Sequence, residues 1–352
     1  MSHPADAVTE TMAELTHVLD AHGHYLITTA ARAPSVHNTQ PWQFRVGPRA
    51  VELWSDPRRK LTTDPIGREM LISCGAALFG LRLAIRSLGY KPVVSLLPDR
   101  SRLRLLARVS LGAKAPMNAL ERRLLAAVPH RHTHRGPFEP GPLPAGLLAG
   151  LQNDALTEEA TLALIGDGLS RERLAWIVEA AARRGDLDPR AQAEIRKWTR
   201  SAASKARDGI PAAALAAAGM PSPVAPGREQ PRRLWQRDFD LGRGIGQLPG
   251  GGAAPAATAI LLTAGDRRAD WLRAGQALQR LLLHAASEWV FASLHTQPLE
   301  DAVTRALIRD RLGLPGKPQM ILQLGLASSA ASTSRRPAGE VASSSAGERA
   351  SP

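Results

Sequence analysis

Apolar and polar positions follow two different periods along the first half of the chain. Apolar residues recur at helical spacing in three segments, which predicts helices at 10–32, 68–88 and 116–128. Shorter alternating or β-branched runs predict strands at 42–46, 50–54, 92–97 and 103–111. The first half is therefore expected to mix helices and strands.

The second half shows the same two periods in a less regular order. Its short apolar runs predict strands at 160–166, 257–264 and 319–325. Helical spacing predicts helices at 170–184, 189–205 and 270–294. No Gly-x-Gly-x-x-Gly follows any of these strands, so the pattern disfavours a dinucleotide-binding fold of the Rossmann type.

Two segments depart from these patterns. Residues 208–255 are rich in Gly, Pro and Ala, with Trp235, Arg237 and Phe239 embedded among them. Loops of this length are either functional lids or disordered, and the aromatic residues favour a lid. After Leu326 the chain consists largely of Ser and Ala, which predicts a flexible tail at 338–352.

Composition indicates a soluble globular protein of the cytoplasm. Of the 352 residues, 44% are hydrophobic and 22% charged, and no apolar run reaches the roughly 20 residues that span a bilayer. The first ten residues do not resemble a secretory signal. The lone Cys74 lies in an apolar helical run, where burial is expected rather than catalysis.

The net charge of +13 raises the question of a nucleic-acid partner. Only six of the 45 basic residues are Lys, and the arginines are scattered along the chain. Aromatic residues make up 4% of the chain, too few for a surface that stacks bases, and no zinc-finger spacing is present. A nucleic-acid partner is therefore not predicted.

The most informative stretch is residues 32–42, Arg-Ala-Pro-Ser-Val-His-Asn-Thr-Gln-Pro-Trp. Pro34 ends the preceding helix, and Pro41 restricts Gln40 to an extended conformation. The polar side chains between the two prolines include both hydrogen-bond donors and acceptors, which suits a flat ligand with a polar edge. An ordinary capped turn would have a similar composition.

Two basic elements in the second half are candidates for binding phosphate. Arg131, Thr133 and Arg135 place two guanidinium groups and a hydroxyl within five residues, and Arg binds phosphate through forked hydrogen bonds. The interleaved histidines, His130, His132 and His134, would suit zinc, but no carboxylate or Cys joins them locally, so no metal site is predicted. The second element is the pair Arg335 and Arg336, which taken alone would be two solvated charges.

The loop resembles a known motif. The pattern Ala-Pro-Ser-x-x-Asn-x-Gln-Pro-Trp, which begins here at Ala33, is similar to the flavin-contacting motif of the nitroreductase superfamily. His37 before the Asn, together with the chain length, is more similar to the Acg-type branch, in which two nitroreductase-like halves are fused. The resemblance implies that the FMN ring is contacted by Pro34, Ser35, Val36, Asn38 and Gln40.

The same resemblance implies an α+β fold of two fused halves that form an intramolecular pseudo-dimer. The halves are expected at 1–129 and 130–337, with the lid-like insertion 208–255 in the second. Arg131, Thr133 and Arg135 are similar to the family's Arg-Arg-Ser-x-Arg element, and Arg335 and Arg336 follow the last strand as its basic residues do. Because each half keeps only one share of the site, one FMN per chain and a monomeric pseudo-dimer are expected.

Two functions follow from the resemblance. The first is an FMN-dependent, nitroreductase-like oxidoreductase that takes hydride from NAD(P)H and reduces an electron-poor acceptor. The second is a flavin store whose lid covers the FMN and prevents nicotinamide turnover. No catalytic acid or base is predicted, because in such enzymes the flavin carries out the chemistry.

Overall fold

The computed structural model describes residues 4–136, 138–216, 234, 237–239, 241, 255–327 and 333–344, with the backbone alone at 4–12, 216 and 344. The first half begins with helix α1 (Pro4–Ala31) and the hairpin of β1 (Trp42–Val46) and β2 (Val51–Ser55). Helix α2 (Arg68–Ser87), strands β3 (Tyr90–Leu96) and β4 (Leu105–Lys114), and helix α3 (Ala119–Ala127) follow. The four strands form an antiparallel sheet in the order β1-β2-β4-β3.

The second half repeats this order with an insertion. It begins with α4 (Leu147–Thr157) and β5 (Thr161–Leu164). The insertion contributes α5 (Gly168–Leu187), α6 (Pro189–Trp198), the paired β6 (Thr199–Arg200) and β7 (Ile210–Pro211), and α7 (Ala212–Ala216). The chain then continues through β8 (Ala257–Thr263), α8 (Arg268–Ser287), β9 (Val290–His295), α9 (Gln297–Glu300), α10 (Ala302–Arg311) and β10 (Lys317–Leu326). The last described elements are α11 (Ala338–Val341) and β11 (Ala342–Ser344).

The sheet of the second half has the order β5-β8-β10-β9, which matches β1-β2-β4-β3 strand for strand. In each half, a 20-residue helix connects the second strand to the third, α2 in the first half and α8 in the second. The prediction of an α+β fold built from two fused halves is confirmed. The insertion between β5 and β8 covers 165–256 and so begins well before the predicted 208–255; at the same place the first half has only the tight β1-β2 turn.

Helices α2 and α8 pack against each other in the middle of the molecule, and both contribute to the largest hydrophobic core. Apolar residues of both sheets complete this core, so the two halves share one interior. By length and composition α2 could cross a membrane, but most of it is buried inside the protein. Its Cys74 is fully buried, as expected.

The structure corrects two predicted helices. The helix predicted at 270–294 ends at Ser287, and β9 begins at Val290 after a residue with positive φ, Trp289. Apolar residues continue across this junction, so hydrophobic periodicity could not locate it. The helix predicted at 189–205 ends at Trp198, and its remainder enters β6 and a turn.

The predicted flexible tail is wrong for its first residues. Residues 338–344 form α11 and β11, and β11 pairs in parallel with β1, with Ala342 opposite Phe44. The side chain of Val341 is fully buried. Backbone pairing with a distant strand orders this segment, and a Ser- and Ala-rich composition does not reveal such pairing. The rest of the predicted tail lies outside the described residues.

Candidate functional site

A cavity that is partly open to solvent lies where the two halves meet. Its wall combines the loop after α1, the first turns of α2, the segment before α4, the end of β9, and α9. Apolar side chains from both halves line it, and charged or polar groups interrupt them at several points. Such a wall suits a flat, largely apolar ligand with a polar edge.

The loop between α1 and β1 is held in an uncommon conformation. His37, Asn38 and Gln40 all have positive φ, of 51°, 55° and 51°, so the extended conformation predicted for Gln40 before Pro41 is wrong. Three non-glycine residues in the left-handed region within four positions cost free energy, so the surroundings must hold them there. Ser35 contributes to this, because its Oγ accepts a hydrogen bond of 2.9 Å from the Gln40 backbone N–H. Strain of this kind is typical of ligand-binding loops.

The residues predicted to bind the flavin ring fall into two groups. Pro34, Ser35 and Val36 line the cavity. Asn38 and Gln40 do not line it. The Asn38 amide donates to the Gly209 and Ser334 carbonyls at 3.0 and 3.1 Å, and Gln40 Nε2 donates to the Arg207 carbonyl at 2.8 Å. These two side-chain amides therefore bind the loop between α1 and β1 to the backbone at residues 207, 209 and 334.

Arginines of the second half gather at the Ala33–Pro34 end of the loop. Arg335 donates to the Ala33 carbonyl at 3.0 Å, and Arg131 donates to the Arg32 carbonyl at 3.2 Å. Arg135 and Thr133 line the cavity, because residue 133 pairs with Ala292 of β9. The segment at 131–135 and the residue at 335, more than 190 positions apart in sequence, thus meet at one end of the cavity.

No carboxylate within the described ranges pairs with Arg131, Arg135 or Arg335. Burial first, and then the nearby Arg32 and Arg135, lower the pKa of Arg131 to about 10. Burial also lowers the pKa of Arg135 to about 10. The pKa of Arg335 falls well below its ordinary value, through burial first and then through Arg131, Arg32 and Arg135.

Two nitrogens of Arg131, Nε and Nη1, are buried and have no hydrogen-bond partner among the described groups. Buried cations without a counter-charge are costly. An anion bound beside them would remove that cost, and its oxygens would satisfy the open N–H groups. Their geometry therefore indicates an anion site at this end of the cavity.

Arg336 does not join this cluster. Its Nε lies 3.3 Å from Glu340 Oε2, and its Nη2 donates to the Glu340 carbonyl at 2.8 Å. Its backbone N–H donates to Gln40 Oε1 at 2.8 Å. In this structure Arg336 supports the loop through its backbone; its side chain is bound to Glu340 through Nε and Nη2, and its buried Nη1 has no hydrogen-bond partner among the described groups.

A buried network of charges on the opposite wall was not found by sequence reasoning. Arg68 and Glu69 begin α2 and are 2% and 3% exposed, and Glu300 of α9 is paired with Arg237. Arg68 donates to the Gln319 side chain at 3.0 Å and to the Leu299 carbonyl at 3.1 Å. An acidic residue in a first helical turn is so common that its sequence position carries no signal for a site.

Three described residues of the 208–255 segment, Ile210, Arg237 and Phe239, line the cavity. Arg237 Nη1 lies 3.1 Å from His37 Nε2, and the Phe239 ring is edge-on to His37 at 5.5 Å. Burial lowers the pKa of His37 well below its ordinary value, and Arg237 and Arg135 lower it further. His37 is therefore a neutral ring in the cavity wall. Trp235, also named in the sequence, lies outside the described residues.

The three alternating histidines are packed against aromatic rings. His132 lies 4.1 Å from Phe291 between ring centres, His134 lies 4.7 Å from Phe138, and His130 lies 5.7 Å from Trp289. In the part of the chain that the structure describes, no three His, Cys, Asp or Glu residues are grouped as metal ligands. These rings therefore contribute packing at the start of the second half.

Comparison with known proteins gives clear relatives by sequence. No protein-family model matches the chain. It is similar to the putative NAD(P)H nitroreductase Rv3131 of Mycobacterium tuberculosis, with 35% identity over 317 residues that cover 89% of this chain and 87% of the relative. It is also similar to the putative NAD(P)H nitroreductase Acg of that organism, with 29% identity over 320 residues, or 90% of this chain and 93% of the relative.

Solved structures resemble the chain more distantly. A putative nitroreductase from Anabaena variabilis is 12% identical, with a TM-score of 0.46 over 84% of this chain and 82% of that one. A nitroreductase with bound FMN from Bacteroides fragilis is 13% identical, with a TM-score of 0.35 over 62% of this chain and 94% of that one. The sequence relatives, which span most of both chains, define the relationship.

Proposed function

The chain belongs to the nitroreductase family, in the branch that includes Acg, and on this premise we propose that it binds one FMN per chain and transfers hydride from NAD(P)H to an electron-poor acceptor. The observation that carries this proposal is the anion site formed by Arg131, Arg135 and Arg335. An FMN phosphate supplies the negative charge that these buried guanidinium groups lack.

At the phosphate end, Arg131, Arg135 and Arg335 bind the anion, and the Thr133 hydroxyl supports a phosphate or ribityl oxygen. At the ring end, Pro34 and Val36 supply apolar contact, and Ser35 supplies a hydroxyl hydrogen, because its Oγ is already an acceptor for Gln40 N–H. Asn38, Gln40 and Arg336 hold the loop in shape through their bonds to backbone atoms.

FMN, when bound, supplies the chemistry of accepting and releasing a hydride. The protein binds the phosphate, excludes water with the apolar wall, and presents charged groups at the opposite side of the cavity. One chain carries one copy of each part, the loop from the first half and the arginines from the second. We infer one site per chain from that division, and a monomer located in the cytoplasm is part of the proposal.

A second candidate is a flavin store. Arg237 and Phe239 of the insertion line the same cavity, so this segment restricts the space open to a nicotinamide beside a bound flavin. A store would keep FMN bound and exclude the electron donor. The two candidates differ in one measurable property, the rate at which NADH or NADPH reduces the bound flavin.

The purified protein provides the test. Its visible absorption spectrum, with the released chromophore identified by mass, should give one FMN per chain. Stopped-flow mixing with NADH and with NADPH should then bleach the flavin and support the oxidoreductase. Bleaching by dithionite but by neither nicotinamide would favour the store. Failure to bind added FMN would refute both candidates.

A further inference from the structure

The cavity wall contains a buried carboxyl group with an open oxygen. Glu69 lies in the first turn of α2, lines the cavity and is 3% exposed. Its Oε1 is 3.5 Å from Arg68 Nη2, and its Oε2 has no hydrogen-bond partner within the described ranges. An ionised carboxylate with an unsatisfied buried oxygen is costly, and protonation removes most of that cost.

The charged groups that face Glu69 come from four elements: Arg68 beside it on α2, Asp64 in the preceding loop, Glu300 of α9, and Arg237 of the insertion. The two cations are already engaged. Arg68 donates to the Gln319 and Leu299 oxygens, and Arg237 is paired with Glu300. Glu69 therefore has two carboxylates nearby, and its one close cation, Arg68, also binds other oxygens.

Burial raises the pKa of the Glu69 carboxyl well above its ordinary value, and Glu300 raises it further, while Arg68 opposes both. Two other polar groups of the wall, His37 and Ser73, are less suited to give a proton. His37 is held neutral, and its Nε2 accepts from Arg237. The Ser73 hydroxyl donates to the Glu69 carbonyl at 2.8 Å.

We propose that Glu69 is a catalytic acid that gives its proton to the electron acceptor in the cavity. The inference rests on the proposed function. Glu69 releases its carboxyl proton to the acceptor as the acceptor takes a hydride from reduced FMN. For a quinone, one hydride and one proton give the hydroquinone, with oxidised FMN and the Glu69 carboxylate left behind. The carboxylate then regains a proton from solvent.

The test compares wild type with Glu69→Gln, which keeps the shape of the side chain and removes its acidity. Glu52→Gln, on the exposed side of β2, is the matched control. The FMN-loaded proteins are reduced with dithionite, so that no result depends on nicotinamide, and are then mixed with a small quinone under anaerobic conditions. We expect E69Q to reoxidise about 100-fold more slowly than wild type, in the range of general acid catalysis. The E52Q control should match wild type.

The pH profile provides a second readout. The reoxidation rate of wild type should fall as pH rises and Glu69 ionises, whereas the rate of E69Q should be independent of pH over the same range. Equal rates in E69Q and wild type would refute the role of Glu69 while leaving FMN binding intact. A loss of FMN affinity that accounts for the whole loss of rate would identify Glu69 as a ring ligand and also refute it. Absence of FMN binding in wild type would refute this inference together with the proposed function.

A cofactor-free measurement checks the protonation state itself. Because the pKa of Glu69 is raised in the folded state, its contribution to stability is fully present below the ordinary carboxyl pKa of about 4.3 and is lost as pH rises. The free energy of unfolding of the apoprotein should therefore fall more steeply with rising pH in wild type than in E69Q. Parallel curves would show that Glu69 ionises normally and would overturn the proposal.

Discussion

Gly75 and Gly275 bring the two central helices into backbone contact, and each is the eighth residue of its helix. A Cβ on Gly75 would lie 2.2 Å from the Leu272 carbonyl oxygen, and one on Gly275 would lie 2.0 Å from the Ile72 carbonyl oxygen. The two halves therefore meet at equivalent points where only glycine fits.

Replacing either glycine by Ala should force α2 and α8 apart. Overpacking of a core typically costs about 1–3 kcal/mol, which outweighs the gain of up to about 1 kcal/mol in helix propensity. Urea unfolding of Gly75→Ala and Gly275→Ala measures this loss. Gly168→Ala is the control, because its Cβ would meet nothing within 4 Å, and it should change stability by less than about 0.5 kcal/mol. A neutral effect at Gly75 would show that the helices can separate freely.

Replacing Arg135 by Ala should weaken FMN binding without unfolding the protein. A hydrogen bond to a charged group is worth about 1.5–3 kcal/mol, which corresponds to about 10- to 150-fold in affinity. Titration of the apoprotein with FMN, followed by flavin fluorescence, gives this number. Arg190→Ala removes the same charge from an exposed position on α6 and should leave affinity unchanged. Equal affinities for the two variants would contradict the anion site.

His132 should make the protein sensitive to acid. Burial lowers its pKa from 6.5 to about 4. Because the folded pKa is lower, the stabilisation is present above about pH 6.5 and is lost as pH falls through about 4, by at most about 3 kcal/mol. In His132→Gln, the free energy of unfolding should therefore fall less steeply than in wild type as the pH is lowered. His22→Gln, at an exposed position, is the control and should keep the wild-type dependence on pH. An equal change in His22→Gln would refute the role of His132 in acid sensitivity.

Replacing Arg237 by Ala should open the cavity to the electron donor. The variant loses the pair with Glu300 and the bond to His37, which are two of the contacts that attach this part of the insertion to the cavity wall. Stopped-flow reduction by NADPH should become faster than in wild type if access limits the rate. Arg196→Ala on α6 serves as the control. An unchanged rate in R237A would show that the insertion does not limit entry.

Hydrophobic periodicity predicted the bounds of the helices and strands that position the site to within a few residues in most cases. Helix α2 was expected at 68–88 and is found at Arg68–Ser87, and β1 was expected with its observed bounds. These elements succeed because each buries one face, which is what periodicity measures. The junction between α8 and β9 failed because the chain is apolar on both sides of it.

Side-chain direction could not be predicted from the motif. Asn38 and Ser35 stand three residues apart in one loop, yet Ser35 lines the cavity and Asn38 binds the backbone at residues 209 and 334. The three positive φ angles set the directions of these side chains. A sequence predicts positive φ well only at glycine, and none of these residues is a glycine. Glu69 escaped notice for a related reason, because its burial depends on α9 and the insertion, which are distant in sequence.

The return of the chain to β1 has a further consequence. Strand β11 forms the edge of the first sheet. In the sequence, the whole second half stands between α3 and this strand. The first half is therefore discontinuous in sequence, and no single cut yields both halves intact. Because residues 334 and 336 also hold the loop between α1 and β1, local unfolding of this edge would release that loop as well. The two halves should accordingly unfold in one cooperative transition, and neither should persist without the other.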